Sequence, residues 1–279
     1  MTKQQDPWGT DVLVDFEDGI AWVQINRPDK RNAMSVGLAH EMNATLDALE
    51  IDDRAGVIVL TGMGEAFSSG MDLKDFFRAT DGVSDVERMR AYRSTRAWQW
   101  RTLMHYAKPT IAMVNGWCFG GAFTPLICCD LAITADDATF GLSEINWGII
   151  PGGVVSKAIS TVMSDRKAMY YVMTGEKFDG KKAAELNLVN ESVPADQLRA
   201  RTTELAKVLL EKNPTVLRQA RMGYKYARYM DWEQAAEYLT AKGDQTTFVD
   251  PEKGRQQGLK QFLDDKTYRP GLGAYSRES

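Results

Sequence analysis

The hydrophobic period changes several times along the chain, and each change predicts an element. Val12 to Asp15 and Ile20 to Ile25 alternate apolar and polar residues on either side of Glu17-Asp18-Gly19, the pattern of a β-hairpin. Asn26-Arg27-Pro28-Asp29-Lys30 interrupts the alternation. Ser35 then precedes Leu38, Met42, Leu46 and Leu49, spaced by threes and fours, so a capped amphipathic helix follows. Gly56 to Thr61 is a continuous apolar run between turn residues, which predicts a strand covered on both faces. Thr110 to Val114 repeats that pattern, the segment after Gly120-Gly121 reads as a short helix, and Asp130 to Thr134 as another strand. Strands alternating with helices predict an α/β layered core whose strand-end loops carry function.

Beyond Ser164 the strand signals fade. Lys181 to Leu186 reads as a helix and Val189 to Val193 as a short extended segment. Helical runs follow over 198–212, 215–229, 232–241 and 252–262. The predicted organisation is a core over residues 1–200 and a helical region over 201–279.

Composition narrows what such a chain can do. Its 279 residues are 44% hydrophobic and 26% charged, enough apolar material for a sizeable core. The 34 basic and 38 acidic residues are scattered rather than blocked, giving no footprint for nucleic acid or an anionic membrane. Met1 to Gly9 has neither the apolar run of a secretory signal nor an arginine-rich transit character, so the cytoplasm is the expected compartment. Cys118, Cys128 and Cys129 sit in apolar sequence without ligand spacing and read as reduced core thiols. No metal and no redox cofactor is expected.

The chemistry concentrates in two places. Gly120-Gly121 exposes backbone N–H groups at the start of a predicted helix, and Glu144 follows the Phe140-Gly141 turn. A thioester Cα–H is a weak acid, and addition to or departure from Cβ passes through an enolate whose charge rests on the thioester oxygen. Two fixed N–H donors on that oxygen accelerate such chemistry without reorganising. Gly121 can supply one, aided by the positive end of the helix. A glycine-containing turn at Phe67 to Lys74 can present the N–H of Met71 as the other. His40 and His105 lie away from these motifs and read as structural, while Trp98 and Trp100 suggest core or a wall of the acyl pocket.

These residues resemble the crotonase, or enoyl-CoA hydratase/isomerase, superfamily. The resemblance runs through Asn26-Arg27-Pro28 with Asn32-Ala33, Phe67 to Asp72, Asn115-Gly116 with Gly120-Gly121, Asp130-Leu131-Ala132, Phe140-Gly141 with Glu144, and Gly148 to Gly153. It implies a spiral of ββα units with a helical C-terminal region that assembles trimers or dimers of trimers. It also places the oxyanion N–H groups on Met71 and Gly121. Hydratases of this superfamily use two glutamates; here the second is Glu144, while Thr124 stands at the first position and can order a water. One well-placed carboxylate adds about 100-fold to 10,000-fold in rate, so Glu144 alone can carry the proton transfers.

Gly116 to Gly121, Gly70 to Lys74, Ser143 to Gly148 and Phe262 to Lys266 look most like the hydroxycinnamoyl-CoA hydratase-lyases. That resemblance implies hydration of feruloyl-CoA or 4-coumaroyl-CoA followed by cleavage to an aromatic aldehyde and acetyl-CoA. Relatives hold the ring hydroxyl with tyrosines. Here one position reads Phe76, and the other is either Tyr238 or Thr240. Gly120 and Trp147 complete the implied substrate contacts, and Lys30, Arg31, Ala33, Phe262 and Lys266 the implied CoA contacts, the last two on a helix that in relatives belongs to a neighbouring subunit. Two other readings stay open: an enoyl-CoA hydratase or isomerase acting on another acyl-CoA, and a non-catalytic oligomeric scaffold.

Overall fold

The structure, a computed structural model, describes residues 8–269 and 273–277. Most of the segment Met1 to Gly9 therefore lies outside the described residues. The chain divides into two compact units, the first formed by Met1–Tyr106 and Thr110–Glu204, the second by Ala107–Pro109 and Leu205–Ser279. The division falls inside the helix Leu198–Leu210 rather than at 200/201.

In the first unit β1 (Val12–Glu17) and β2 (Ile20–Ile25) form the hairpin, closed by Asp18 and Gly19 with φ of 50° and 80°. Positive φ at both turn residues matches the strands' right-handed twist, the reason Asp-Gly closes two-residue hairpins. The sheet continues in parallel through β3 (Val57–Gly62), β5 (Thr110–Val114), β7 (Leu131–Ala135) and β10 (Glu191–Val193). β3 and β5 are buried at every position, as their uninterrupted apolar runs require. Ser35 caps the helix Val36–Glu50 by accepting from the Leu38 N–H at 3.0 Å. That helix buries Leu38, Met42, Leu46 and Leu49, the four residues whose spacing predicted it.

A second sheet has no counterpart in the periodicity. It orders β4 (Ala66–Ser68), β6 (Trp117–Phe119), β8 (Thr139–Gly141) and β9 (Lys177–Asp179). Each strand has three residues, too few to show an alternation. Phe67, Cys118, Phe140 and Phe178 are buried here, and the Phe140 and Phe178 rings stack at 5.5 Å. Burying a large apolar side chain contributes roughly 1.5–3 kcal/mol, so this small sheet is held by packing more than by its short ladders. Its strand ends, at Ser68, Phe119 and Gly141, lead into the loops that line the cavity described below.

The segment 85–105 is likewise helical: Asp85–Arg96, a wider π-helical stretch Ala97–Thr102, and a final turn Leu103–His105. Trp98 is fully buried in it. In the second unit, helices Pro214–Ala227, Trp232–Val249 and Gly254–Leu263 follow the predicted order, the middle one running eight residues beyond residue 241. No helix among the described residues is long and apolar enough to cross a membrane.

Candidate active site

The loops after β4, β6 and β8 meet around a cavity of about 790 Å³, lined wholly by residues of the first unit. Gly120 and Gly121 open a 3-10 turn, Gly120–Ala122, that runs into the helix Phe123–Cys128. Amides in a first helical turn have no intrahelical acceptor, which leaves the Gly121 N–H available to the cavity. The loop Ser69 to Asp72 lies directly against this turn. A Cβ on Gly70 would stand 2.6 Å from the Phe119 carbonyl oxygen and 3.2 Å from the Gly121 nitrogen, and one on Gly121 would stand 3.0 Å from Met71 Cγ. Gly70, at φ +93°, also needs a backbone conformation that other residues avoid.

Met71 is oriented by a lone parallel bridge to Met34. The Met34 N–H donates to the Gly70 carbonyl at 2.8 Å and the Asp72 N–H to the Met34 carbonyl at 3.0 Å. In a parallel pair the bracketed residue points its own amide away from the partner strand. The Met71 N–H is thereby turned away from Met34.

Glu144 is the second residue of the 3-10 turn Ser143–Trp147, which ends at Gly148 in the left-handed conformation. Its carboxylate lies against Gly120: a Cβ there would be 3.0 Å from Oε1 and 3.2 Å from Cδ. Gly120 itself has φ +49°, so both backbone conformation and space call for glycine. Oε2 is buried with no hydrogen-bond partner among the described residues. Burial pushes the Glu144 carboxyl above its ordinary range, opposed only by a backbone hydrogen bond. A buried carboxyl whose protonated form is favoured in this way is a candidate for proton transfer. Thr124 is buried and lines the same cavity.

One buried guanidinium ties the loops together. Arg27 donates to Asp72 Oδ2 and Asp75 Oδ2, each at 2.9 Å, and to the Ala33 carbonyl at 2.5 Å. Asp72 in turn caps the turn Leu73–Arg78 by accepting from the Lys74 and Asp75 amides. Asn32, fully buried, spans to the Met63 and Ala66 carbonyls and accepts from the Arg27 amide. Lys30 pairs with Asp75 at 2.5 Å, and this hydrogen bond, with Arg27 behind it, holds the Asp75 carboxyl below its usual range. Arg31 lies over the Trp117 ring at 4.8 Å, and Trp117 stacks on Phe119.

Ten of the residues singled out in the sequence line this one cavity: Glu144, Gly121, Met71, Thr124, Phe76, Gly120, Trp147, Lys30, Arg31 and Ala33. Tyr238, Thr240, Phe262 and Lys266 belong to the second unit. There Tyr238 packs 6.1 Å from Tyr226, and the Thr240 hydroxyl donates to the Ala236 carbonyl of its own helix. Phe262 lies 6.5 Å from Tyr268, and Lys266 follows the last helix with φ +57°. Neither Trp98 nor Trp100 lines the cavity; Gln99 between them does. Its amide donates to the sulfurs of Met34 and Met71 at 3.3 and 3.5 Å. Tyr92, Arg96 and Gln99 are lining residues that the motifs did not indicate. The Ser84 to Glu87 capping box was the available signal for the helix that carries Tyr92 and Arg96 and runs on into the stretch with Gln99: Glu87 accepts from the Ser84 amide, and its own amide donates to Ser84 Oγ. The three cysteines are buried thiols without a disulfide, and burial raises the Cys118 pKa, which makes that thiol a packing group.

A sequence profile of the enoyl-CoA hydratase/isomerase family matches residues 15–269. The chain is 58% identical over 277 residues to a hydroxycinnamoyl-CoA hydratase-lyase of Pseudomonas fluorescens, covering 99% of this chain and 100% of that one. It is 28% identical to a mitochondrial enoyl-CoA hydratase of Pongo abelii, over 88% of this chain and 82% of that one. Among solved structures, an enoyl-CoA hydratase from Bacillus anthracis superposes with a TM-score of 0.80 at 26% identity, covering 91% of this chain and 96% of that one.

Proposed function

The chain belongs to the enoyl-CoA hydratase/isomerase family, and on that premise we propose that it is a lyase that hydrates hydroxycinnamoyl-CoA thioesters of the feruloyl-CoA and 4-coumaroyl-CoA type and then cleaves them to an aromatic aldehyde and acetyl-CoA. The observation that carries the chemistry is the Glu144 carboxylate against Gly120, its Oε2 buried with no hydrogen-bond partner among the described residues, in the cavity that Gly121 and Met71 also line. The 58% identity over nearly the whole chain supports the aromatic substrate.

Both steps use one enolate. With the thioester oxygen held by the Met71 and Gly121 N–H groups, Glu144 takes a proton from water as the oxygen bonds to Cβ. The electron pair of the double bond moves onto the thioester oxygen, where the two donors stabilise it. Protonated Glu144 returns the proton to Cα. Cleavage runs the same groups again: Glu144 removes the β-hydroxyl proton, the Cα–Cβ bond breaks, the aldehyde forms at Cβ, and the electron pair enters the acetyl-CoA enolate. Glu144 then protonates that enolate at Cα. Protons balance in each half, so the route needs only water and this chain's residues, with CoA as part of the substrate. Thr124, in the cavity wall, orders the attacking water.

Arg31 stacked on Trp117 offers a flat cationic platform for a nucleotide base, and Lys30 a charge for phosphates. Ala33, whose carbonyl is fixed by Arg27, holds the loop's backbone in place beside them. The C-terminal helices carry self-association as a trimer or dimer of trimers, with Phe262 and Lys266 meeting CoA and Tyr238 or Thr240 meeting substrate in that assembly. A membrane-impermeant CoA thioester is met in the cytoplasm, which this reading assigns as the compartment. The test is incubation with feruloyl-CoA. Vanillin and acetyl-CoA are the expected products; hydration without aldehyde favours a plain hydratase, and inertness on all acyl-CoAs a scaffold.

A further inference from the structure

The cavity wall is chemically uneven. Lys30 and Arg31 contribute cations to it. Another part of the wall is aromatic: Phe76, buried, meets Phe77 at 5.5 Å and the Tyr92 ring, nearly edge-on, at 5.0 Å. Tyr92, Thr95, Arg96 and Gln99 all line the cavity, and their spacing of three, one and three puts them on one face of the helix that starts at Asp85.

Their order along that helix sets depth. Gln99 is anchored to the Met71 sulfur and so marks the level of the oxyanion loop. Tyr92 lies seven residues earlier, about 10 Å along the helix axis at ~1.5 Å per residue. This is on the scale of a 4-oxygenated cinnamoyl group measured from its thioester carbonyl to the ring's 4-oxygen, together with one hydrogen bond from that oxygen. Two neighbouring polar groups are already engaged: the Thr95 hydroxyl donates to the Ala91 carbonyl at 3.0 Å and the Gln99 amide to the two sulfurs, while the Arg96 guanidinium packs 5.6 Å from the Tyr92 ring centre. The Tyr92 hydroxyl has no hydrogen-bond partner among the described residues. Phe76 and Phe77 beside it are hydrocarbon.

We propose that Tyr92 is the specificity-determining residue for the aromatic ring, its hydroxyl hydrogen-bonding the 4-oxygen of the acyl group while Arg96 packs on its face. The assignment rests on the aromatic-acyl reading of the cavity. A phenolic hydroxyl can donate to a ring oxygen or accept from a ring hydroxyl. The site therefore favours 4-oxygenated rings over an unsubstituted one and retains 4-methoxy rings, to which Tyr92 can still donate.

Tyr92→Phe tests this by deleting one oxygen while keeping the ring contacts with Phe76 and Arg96. The measured quantity is the ratio of kcat/KM for 4-coumaroyl-CoA to that for cinnamoyl-CoA. The variant is expected to lower this ratio about tenfold, the size of one partly exposed hydrogen bond; an unchanged ratio overturns the proposal. Inhibition by 3-(4-hydroxyphenyl)propanoyl-CoA relative to 3-phenylpropanoyl-CoA, neither of which can be hydrated, repeats the comparison without chemistry. The ratio of inhibition constants is expected to shift in the same sense, and no shift overturns the proposal. If the wild-type protein forms no aldehyde, the lyase reading fails by itself, and the inhibition ratio still decides the role of Tyr92.

Discussion

At the scale of single residues, catalysis and stability compete at Glu144. Its carboxyl is held above the ordinary range by burial, so the folded state favours the protonated form. The associated stability is present below the unfolded-state pKa and is lost as pH rises through the folded-state value. Glu144→Gln is therefore expected to unfold at a higher temperature than wild type at neutral pH, with the gain vanishing in acid, as followed by thermal melts across pH. The same substitution is expected to lower kcat by at least about 100-fold. The kcat/KM profile of the wild type should rise with pH through an acid limb above the usual carboxylate range, because the base must be ionised to take the water proton. Wild-type rates in the Gln variant would remove Glu144 from the mechanism.

At the scale of elements, the two loops of the proposed site are one mechanical unit. Arg27, with its side chain 9% exposed, bridges the loop at Ala33 to Asp72, whose amide completes the bridge that turns Met71. Removing one partner of a buried ion pair costs about 3–5 kcal/mol, so Arg27→Ala is expected to destabilise on that scale in denaturant titrations. It should also lower kcat, because Asp72 no longer fixes the Met71 amide. Lys30→Ala is the control. That side chain is half exposed, and such pairs contribute less than about 1 kcal/mol, so equal losses for the two variants would refute the argument. The elements themselves were unequally legible. Val36–Glu50 and the strands at Val57–Gly62 and Thr110–Val114 are long enough to show their period and are buried enough to need it. The three-residue strands of the second sheet show none, and the helix Asp85–Arg96 is largely polar, burying only Ala91 and Thr95. A helix that turns a few residues to a cavity and most to solvent leaves little apolar pattern to read.

At the scale of the whole molecule, the helix Trp232–Val249 buries none of its residues, yet Trp232 and Phe248 are 93% and 91% exposed. These two aromatics are the places on this helix where the proposed self-association can be tested. Replacing both with lysine is expected to reduce the assembled mass measured by light scattering, since buried aromatic anchors contribute about 2 kcal/mol or more each. An unchanged mass would place the interface elsewhere. The sequence by itself determined the α/β class, the glycine pair, the lone glutamate and the helical C-terminal region, because each is written in local period or in a contiguous motif. Only the tertiary structure decided that the Gly120 backbone touches the Glu144 carboxylate, that Arg27 links the loops at Ala33 and Asp72, and that Tyr92 and Gln99 share the cavity wall. Those are contacts between segments distant in the chain, set by how packed layers bring strand ends together, and no local pattern encodes them.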